Sequence, residues 1–198
     1  GAVVNNEFIT TNNNVIRYLI PCDNEATSFT FELVSEANTQ ISTGRFVTIE
    51  VPKPGIYRER ITVVSQDNLS ADVYYIEVEK RFQFEEITTT KFDNILLVNN
   101  NPLTNGGFEF HSAVWFKNDV EVATGLYYSV GETSNSDLDQ NAVYRVVLLS
   151  KDGSTLQTCE GSITTALKPS NALKLYPNPV SKGNVLTIEV DYDQSELN

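Results

Sequence analysis

Val73-Tyr-Tyr-Ile-Glu-Val-Glu-Lys-Arg-Phe82 decides the fold. Taken alternately, Tyr74, Ile76, Val78 and Phe82 fall on one side and Tyr75, Glu77, Glu79 and Arg81 on the other. Such alternation marks a strand with one face in a core and one in water. The same period recurs upstream. Phe29, Phe31 and Leu33 share a face within Ser28–Val34, as do Val47, Ile49 and Val51 within Phe46–Val51. Val15–Ile20 and Ile56–Val64 complete a first set of strands, and Pro52-Lys-Pro-Gly55 and Gln66-Asp-Asn-Leu-Ser70 between them have turn composition. No helix-period segment of useful length interrupts them. Short alternating strands at this spacing predict a sandwich rather than β-α-β units.

A second set begins beyond Phe84–Thr90, where the polar run Glu-Glu-Ile-Thr-Thr-Thr follows the last strand and is read as a boundary. Its strands are expected at Asn94–Val98, Phe108–Phe116, Leu126–Val130, Ala142–Ser150 and Thr155–Ile163. Asn99-Asn-Asn-Pro-Leu-Thr-Asn-Gly-Gly107 is loop by composition, and Lys117-Asn-Asp119 and Lys151-Asp-Gly153 read as hairpin turns. The two halves share architecture more obviously than sequence.

Pro54-Gly-Ile-Tyr-Arg-Glu-Arg-Ile-Thr-Val63 followed by Val73-Tyr-Tyr-Ile-Glu-Val78 resembles the closing hairpin of bacterial Ig-like and cadherin-like domains. Ala113-Val-Trp-Phe-Lys-Asn-Asp-Val-Glu-Val-Ala123 resembles the Trp-Tyr-Lys-Asn-Gly strand of Ig-like domains common in Bacteroidetes surface proteins, and Val143-Tyr-Arg-Val-Val-Leu148 resembles their penultimate strand. This resemblance implies that Trp115 is the central core tryptophan and Tyr144 the corner tyrosine. Val146 stands where the inter-sheet cysteine of an antibody domain would be, so apolar packing must hold the sheets. The expected fold is all-β: two tandem Ig-like or cadherin-like antiparallel sandwiches, residues 1–85 and 86–167, then a C-terminal extended segment and strand, 168–198.

That last segment contains Leu173-Lys-Leu-Tyr-Pro-Asn-Pro-Val-Ser-Lys-Gly-Asn-Val-Leu-Thr-Ile-Glu-Val190. Pro177 and Pro179 fix their own φ and push Tyr176 and Asn178 into extended geometry, which excludes helix. After the Ser-Lys-Gly-Asn turn, Leu186, Ile188 and Val190 alternate with Thr187 and Glu189 as in a half-buried strand. Leu175, Tyr176, Pro177, Asn178 and Pro179 with the following Leu-Thr-Ile resemble the opening of the C-terminal sorting domain read by the type IX secretion system. The resemblance covers residues 173–198, the start of such a domain without its later strands. It implies the type IX machinery as a partner and a secreted or outer-membrane-surface location.

Charge and composition agree with an exported scaffold. The 198 residues carry a net charge of −12, with a pI near 4.4, which argues against nucleic acid and anionic membrane as partners. No apolar run approaches a membrane span. Lacking a starting Met and a signal peptide, the sequence reads as a mature piece. Cys22 and Cys159 fall in different halves and read as two small, partly buried thiols; if paired, they would lock the halves together.

Catalytic chemistry is hard to place. His111 is the sole histidine, which rules out a multi-histidine zinc site, and it lies in a strand-like run without any Gly-x-Ser-x-Gly elbow. No carboxylate pair stands out for glycoside hydrolysis, and Asn105-Gly-Gly107 lacks the Lys-Ser/Thr and helix of a phosphate loop. Asp137-Leu-Asp-Gln-Asn141 starts like a calcium loop, but Ala142 replaces the glycine and no bidentate Glu follows, so a turn-rich sandwich loop is the simpler reading. Tyr57, Tyr75, Tyr127 and Tyr128 could form a sugar platform, although Tyr-Tyr pairs in strands normally put one ring inside and one out. Hence no catalytic, metal or cofactor residue is expected. Three functions stay open: an adhesin-like module binding a host or cell-surface protein or glycan, a spacer in a larger secreted hydrolase, and a carbohydrate-binding module.

Overall fold

The computed structural model describes residues 1–35, 39–130, 137–164, 173–176, 183 and 187–190. They fall into two units, Gly1–Ile163 and Thr164–Asn198. The fold is all-β, and the described helix is a single turn.

The first unit opens with β1 (Ala2–Val4), β2 (Glu7–Ile9), β3 (Val15–Leu19), β4 (Ser28–Leu33), β5 (Gln40–Ile41), β6 (Phe46–Glu50), β7 (Gly55–Val64) and β8 (Ala71–Lys80). They build one sheet in the order β2-β1-β4-β6 and a second in the order β3-β8-β7-β5. The alternation read from sequence is what buries Phe29, Phe31 and Leu33 of β4 against Val47 and Ile49 of β6 and Ile76 and Val78 of β8. The Tyr18 ring lies 5.4 Å from that of Phe29 and edge-on, at 5.8 Å, to that of Phe31. Most pairings are antiparallel. The exception is β3, which runs parallel to β8 with Ile16 opposite Ile76 and Tyr18 opposite Val78. Parallel neighbours need a long crossover, and the whole excursion through β4–β7 provides it.

Short elements escaped the sequence reading. β1 and β2 are joined at Asn5-Asn6, both with positive φ, which asparagine tolerates and a tight hairpin requires. Strands of three residues carry too little alternation to be recognised.

The second half of this unit contains α1 (Phe84–Ile87), β9 (Thr88–Lys91), β10 (Ile95–Val98), β11 (Phe110–Lys117), β12 (Val120–Thr124), β13 (Tyr127–Ser129), β14 (Tyr144–Ser150) and β15 (Thr155–Gln157). One sheet has the order β13-β10-β9 and the other β12-β11-β14-β15. The polar run expected to be a boundary is instead α1 followed by an edge strand. Gln83 and Glu86 form a reciprocal capping box at the start of α1, while Phe84 and Ile87 are buried. The second core starts at Phe82 and includes Phe84, Leu96, Phe110, Trp115, Tyr144, Val146 and Leu148. The strand expected over Thr155–Ile163 stops at Gln157; beyond it the chain stays beside β14 only at intervals, the Thr158 amide donating to the Val146 carbonyl and Gly161 bridging Tyr144, while Thr158 also bridges Phe82.

In the second unit, β16 (Leu173–Tyr176) pairs antiparallel with β17 (Thr187–Val190), with Leu175 opposite Ile188 and Tyr176 opposite Thr187. Pro177, Asn178 and Pro179 lie outside the described residues.

Candidate functional site

Sequence-distant groups converge within Gly1–Ile163 at the joint where the two cores meet. β8 ends at Lys80, and the chain passes through Arg81-Phe82-Gln83 directly into the second core. The Phe82 amide donates to the Gln157 carbonyl at 3.2 Å, and the Cys159 amide donates to the Phe82 carbonyl at 2.8 Å. The linker is thus a parallel-bridged strand against the 157–159 segment.

Cys159, held by that bond, is joined to Cys22 in a disulfide with Cα atoms 5.9 Å apart and a sequence separation of 137. The two thiols expected from sequence are therefore one covalent clamp. Cys22 follows β3, whose end is held by the Ile20 amide donating to the Glu79 carbonyl at 3.0 Å. Around the clamp the polar groups connect the two halves. Gln83 Nε2 donates to the Cys22 carbonyl at 2.9 Å, and Arg81 Nη2 donates to the Ile20 carbonyl at 3.4 Å. The Glu79 carboxyl is pushed up by desolvation, partly offset by a hydrogen bond with Gln157 and by the charge of Arg81. A second point of attachment lies at the Pro52-Lys53 turn: Lys53 Nζ donates to the Gly106 carbonyl at 2.7 Å and sits 5.9 Å from the centre of the Phe108 ring. Phe108 in turn meets Phe82 edge-on at 5.6 Å.

Gly106 belongs to the asparagine-rich loop, which is built rather than slack. Asn100 bonds the Phe110 backbone at both ends, donating to its carbonyl at 2.9 Å and accepting from its amide at 2.7 Å, as a neighbouring strand would. Asn105, only 5 % exposed, donates to the Asn99 and Phe108 carbonyls and accepts from the Gly107 and Phe108 amides. The buried Asn105 amide and the Asn100 amide, bonded in this way, fix the loop that receives Lys53.

The residues singled out from sequence are dispersed. Trp115 is fully buried, with Nε1 donating to the Gly125 carbonyl at 2.9 Å. Tyr144 is fully buried too, and its hydroxyl donates to the Asp139 carbonyl at 3.2 Å while accepting from the Asp139 amide at 3.1 Å. Val146 lies opposite Trp115 in the β11–β14 ladder. His111 is exposed on β11. Within the calcium-like loop, one Asp139 oxygen is 3.0 Å from Lys117 Nζ and the other accepts from the Asn141 amide, while Leu138 is buried in the core. These bonds hold the Asp139 carboxyl below its usual range and the Lys117 ammonium above it. The four tyrosines share no platform. The Tyr57 hydroxyl bonds the Lys53 carbonyl, Tyr75 lies under the Arg58 guanidinium, Tyr128 packs beside Tyr144, and only Tyr127 projects, on another sheet.

Among the described residues no three His, Cys, Asp or Glu side chains gather closely enough to hold a metal ion, and no helix is long and apolar enough to cross a membrane. The one covalent chemistry at the joint is exchange of the disulfide with an incoming thiol; around it Arg81 Nη2 and Gln83 Nε2 are hydrogen-bonded, while Arg81 Nε is buried without a partner among the described residues.

No protein-family model matches the chain, and no curated protein matches it. Among solved structures, the fibronectin(III)-like modules of Clostridium thermocellum CbhA align over 82 % of this chain and 91 % of theirs, at 9 % identity and a TM-score of 0.30. That likeness is too low to carry an argument.

Proposed function

We propose that this chain is a non-catalytic binding module of a secreted or cell-surface protein, exported through the type IX secretion system by the segment from Leu173 onward. The observation that carries the proposal is the Cys22–Cys159 disulfide across the two cores. Disulfides persist in oxidising, extracytoplasmic compartments and are rare where thioredoxin and glutathione act. A clamp enclosing most of the chain is compatible with life outside the cytoplasm. The tail's Leu175-Tyr176-Pro177-Asn178-Pro179 sequence, flanked by the paired backbones of β16 and β17, supports the export route.

The same clamp favours a second reading, a rigid spacer between an upstream domain and the sorting segment. Covalent and hydrogen-bonded attachment at two points, the disulfide and Lys53–Gly106, limits rotation of one sandwich against the other.

The test is export of a reporter fused ahead of the complete C-terminal region in a bacterium with a type IX system. Surface display is expected with the tail intact, and periplasmic retention after deletion from Leu173 onward. Equal display of both fusions would overturn the export route. Adhesion of the displayed module to protein-coated or glycan-coated surfaces separates binding module from spacer.

A further inference from the structure

The end of the first sandwich away from the joint holds a cleft of about 580 Å³. β7 and β8 are ten residues long, so their hairpin end lies about 30 Å from Gly55 and Lys80 at the joint. Loops at a sandwich end are where such folds place recognition surfaces, and a volume of several hundred Å³ is that of a small-ligand site.

The cleft reaches the core. Ile16, Leu33 and Ile61, each under 9 % exposed, form its floor, and Ile41, Val63 and the Tyr74 ring form its walls. It opens beside β5, which pairs with β7 at Val63 and Val64 and is continued by the Ser42 amide donating to the Thr62 carbonyl at 2.8 Å. Its mouth is polar and carries hydroxyl, amide and carboxylate groups from Thr11, Asn13, Ser70 and Asp72. No Lys, Arg or His side chain is among the described lining residues, and the Gly1 ammonium, which is among them, donates to the Val34 carbonyl at 3.2 Å.

This lining discriminates between ligand classes. An anionic ligand would meet Asp72 and a chain of net charge −12, and the cationic group in the described lining, the Gly1 ammonium, is already bonded to the Val34 carbonyl. A wholly apolar ligand would strip water from the hydroxyls and amides of the mouth without replacing their bonds. A neutral polyhydroxylated ligand with an apolar ring face satisfies both parts. We propose that the cleft binds a neutral saccharide, its hydroxyls bonded to Asp72, Asn13, Thr11 and Ser70 and its C–H face laid on Tyr74, Ile41 and Val63. The proposal rests on the binding-module reading above and names the ligand class of that module. It differs from a platform of exposed tyrosines: Tyr74 lines the sandwich end, whereas Tyr57, Tyr75 and Tyr128 have other partners and Tyr127 projects from β13.

The experiment screens the intact chain on an array of neutral, acidic and amino-bearing oligosaccharides, then titrates the best neutral one calorimetrically. Asn13 has φ +49°, so Asn13→Gly removes its amide while preserving the turn. Asp72 is exposed, so Asp72→Ala tests the carboxylate without disturbing the core. The expected result is binding of a neutral oligosaccharide that is insensitive to high salt, weakens about tenfold with each substitution, and is unchanged by Glu50→Ala on the exposed face of β6. Absence of neutral-glycan binding, a preference for acidic glycans, or full affinity in the double variant would overturn the proposal. Adhesion to a deglycosylated protein surface that survives in the double variant would overturn the cleft assignment while leaving the binding-module reading intact.

Discussion

Replacing both cysteines, Cys22→Ser with Cys159→Ser, should destabilise the folded chain by several kcal/mol and shift its urea midpoint. The sequence separation of the bridge is 137 residues. In the chain-entropy picture a loop of this length costs the unfolded state about 5 kcal/mol of freedom at room temperature. The logarithm makes the figure robust: if one sandwich unfolds while the other persists, the mobile loop is roughly halved and the stabilisation falls only to about 4 kcal/mol. Against this, the removed bridge leaves Gln83, Arg81 and Lys53 still bonded across the joint. Those bonds are worth about 1 kcal/mol each and keep the native geometry without adding to the loss. A net cost of about 3 to 5 kcal/mol, divided by a urea slope of about 2 to 3 kcal/mol per molar, moves the midpoint by roughly 1 to 2 M. The assay is urea unfolding followed by Trp115 fluorescence, with the parent under oxidising and reducing conditions alongside the double variant. Thiol titration of the unfolded, unreduced parent should find no free sulfhydryl. An unchanged midpoint in the double variant, or two titratable thiols in the oxidised parent, would refute the clamp.

Other consequences of the packing can be checked separately. Trp115→Ala should cost about 3 to 5 kcal/mol, since it empties the largest fully buried site of the second core, and parent-like melting would refute that role. A Cβ on Gly161 would overlap Cβ of Phe84, which any residue but glycine at 84 would keep, so Gly161→Ala should cost about 1 to 3 kcal/mol; a neutral melt shows that the close approach is absent. Glu79 is raised by burial, so the folded chain holds this proton more tightly than the unfolded one. Its contribution is fully present below the unfolded carboxylate pKa and is lost as pH rises through the folded value. The stability of Glu79→Gln relative to the parent should therefore grow as pH rises above the ordinary glutamate range, and a pH-independent difference in thermal melts would exclude a desolvated carboxyl.

The class of fold was legible because period-two burial is a local property. Phe29, Phe31 and Leu33 declare an inward face without reference to any partner, and the structure buries all three. Positive φ at Asn118 and Asp119 fits the same logic, since turn chemistry is written in the residues that make the turn. The joint was illegible for the opposite reason. Glu79, Arg81, Gln83 and Lys53 alternate or cluster like any solvated surface, and only the meeting of two sandwiches gives them partners there, half-burying Glu79 and Arg81. The cysteines lie 137 residues apart in different halves, where pairing appears improbable until Cys22 and Cys159 are seen to flank one linker. One signal was available: an even number of cysteines in a chain whose tail suggests export. The end cleft left no signal at all. Ile16, Leu33 and Ile61 have the alternation of ordinary core residues, and whether a core is covered at its end depends on the length of β5, which two residues cannot announce.

The clamp and the cleft lie at opposite ends of β7 and β8, and that separation assigns them different mechanical tasks. Thermal motion of a tandem sandwich is taken up mainly at its linker, because intramodular sheets are tied by continuous ladders and intermodular contacts are few. Here the linker is itself laddered onto the 157–159 segment and crossed by a disulfide, so bending there requires breaking a covalent bond or a β-bridge. The distal end carries the opposite arrangement, a two-residue strand beside an opened core. Stiffness is therefore concentrated where load would pass toward the C-terminal side, and adaptability where a ligand would enter. Reduction of the disulfide should loosen the joint while leaving saccharide affinity at the far end unchanged. A cleft whose affinity tracked the redox state of Cys22 and Cys159 would mean that the two ends are coupled along β7 and β8, contrary to this division.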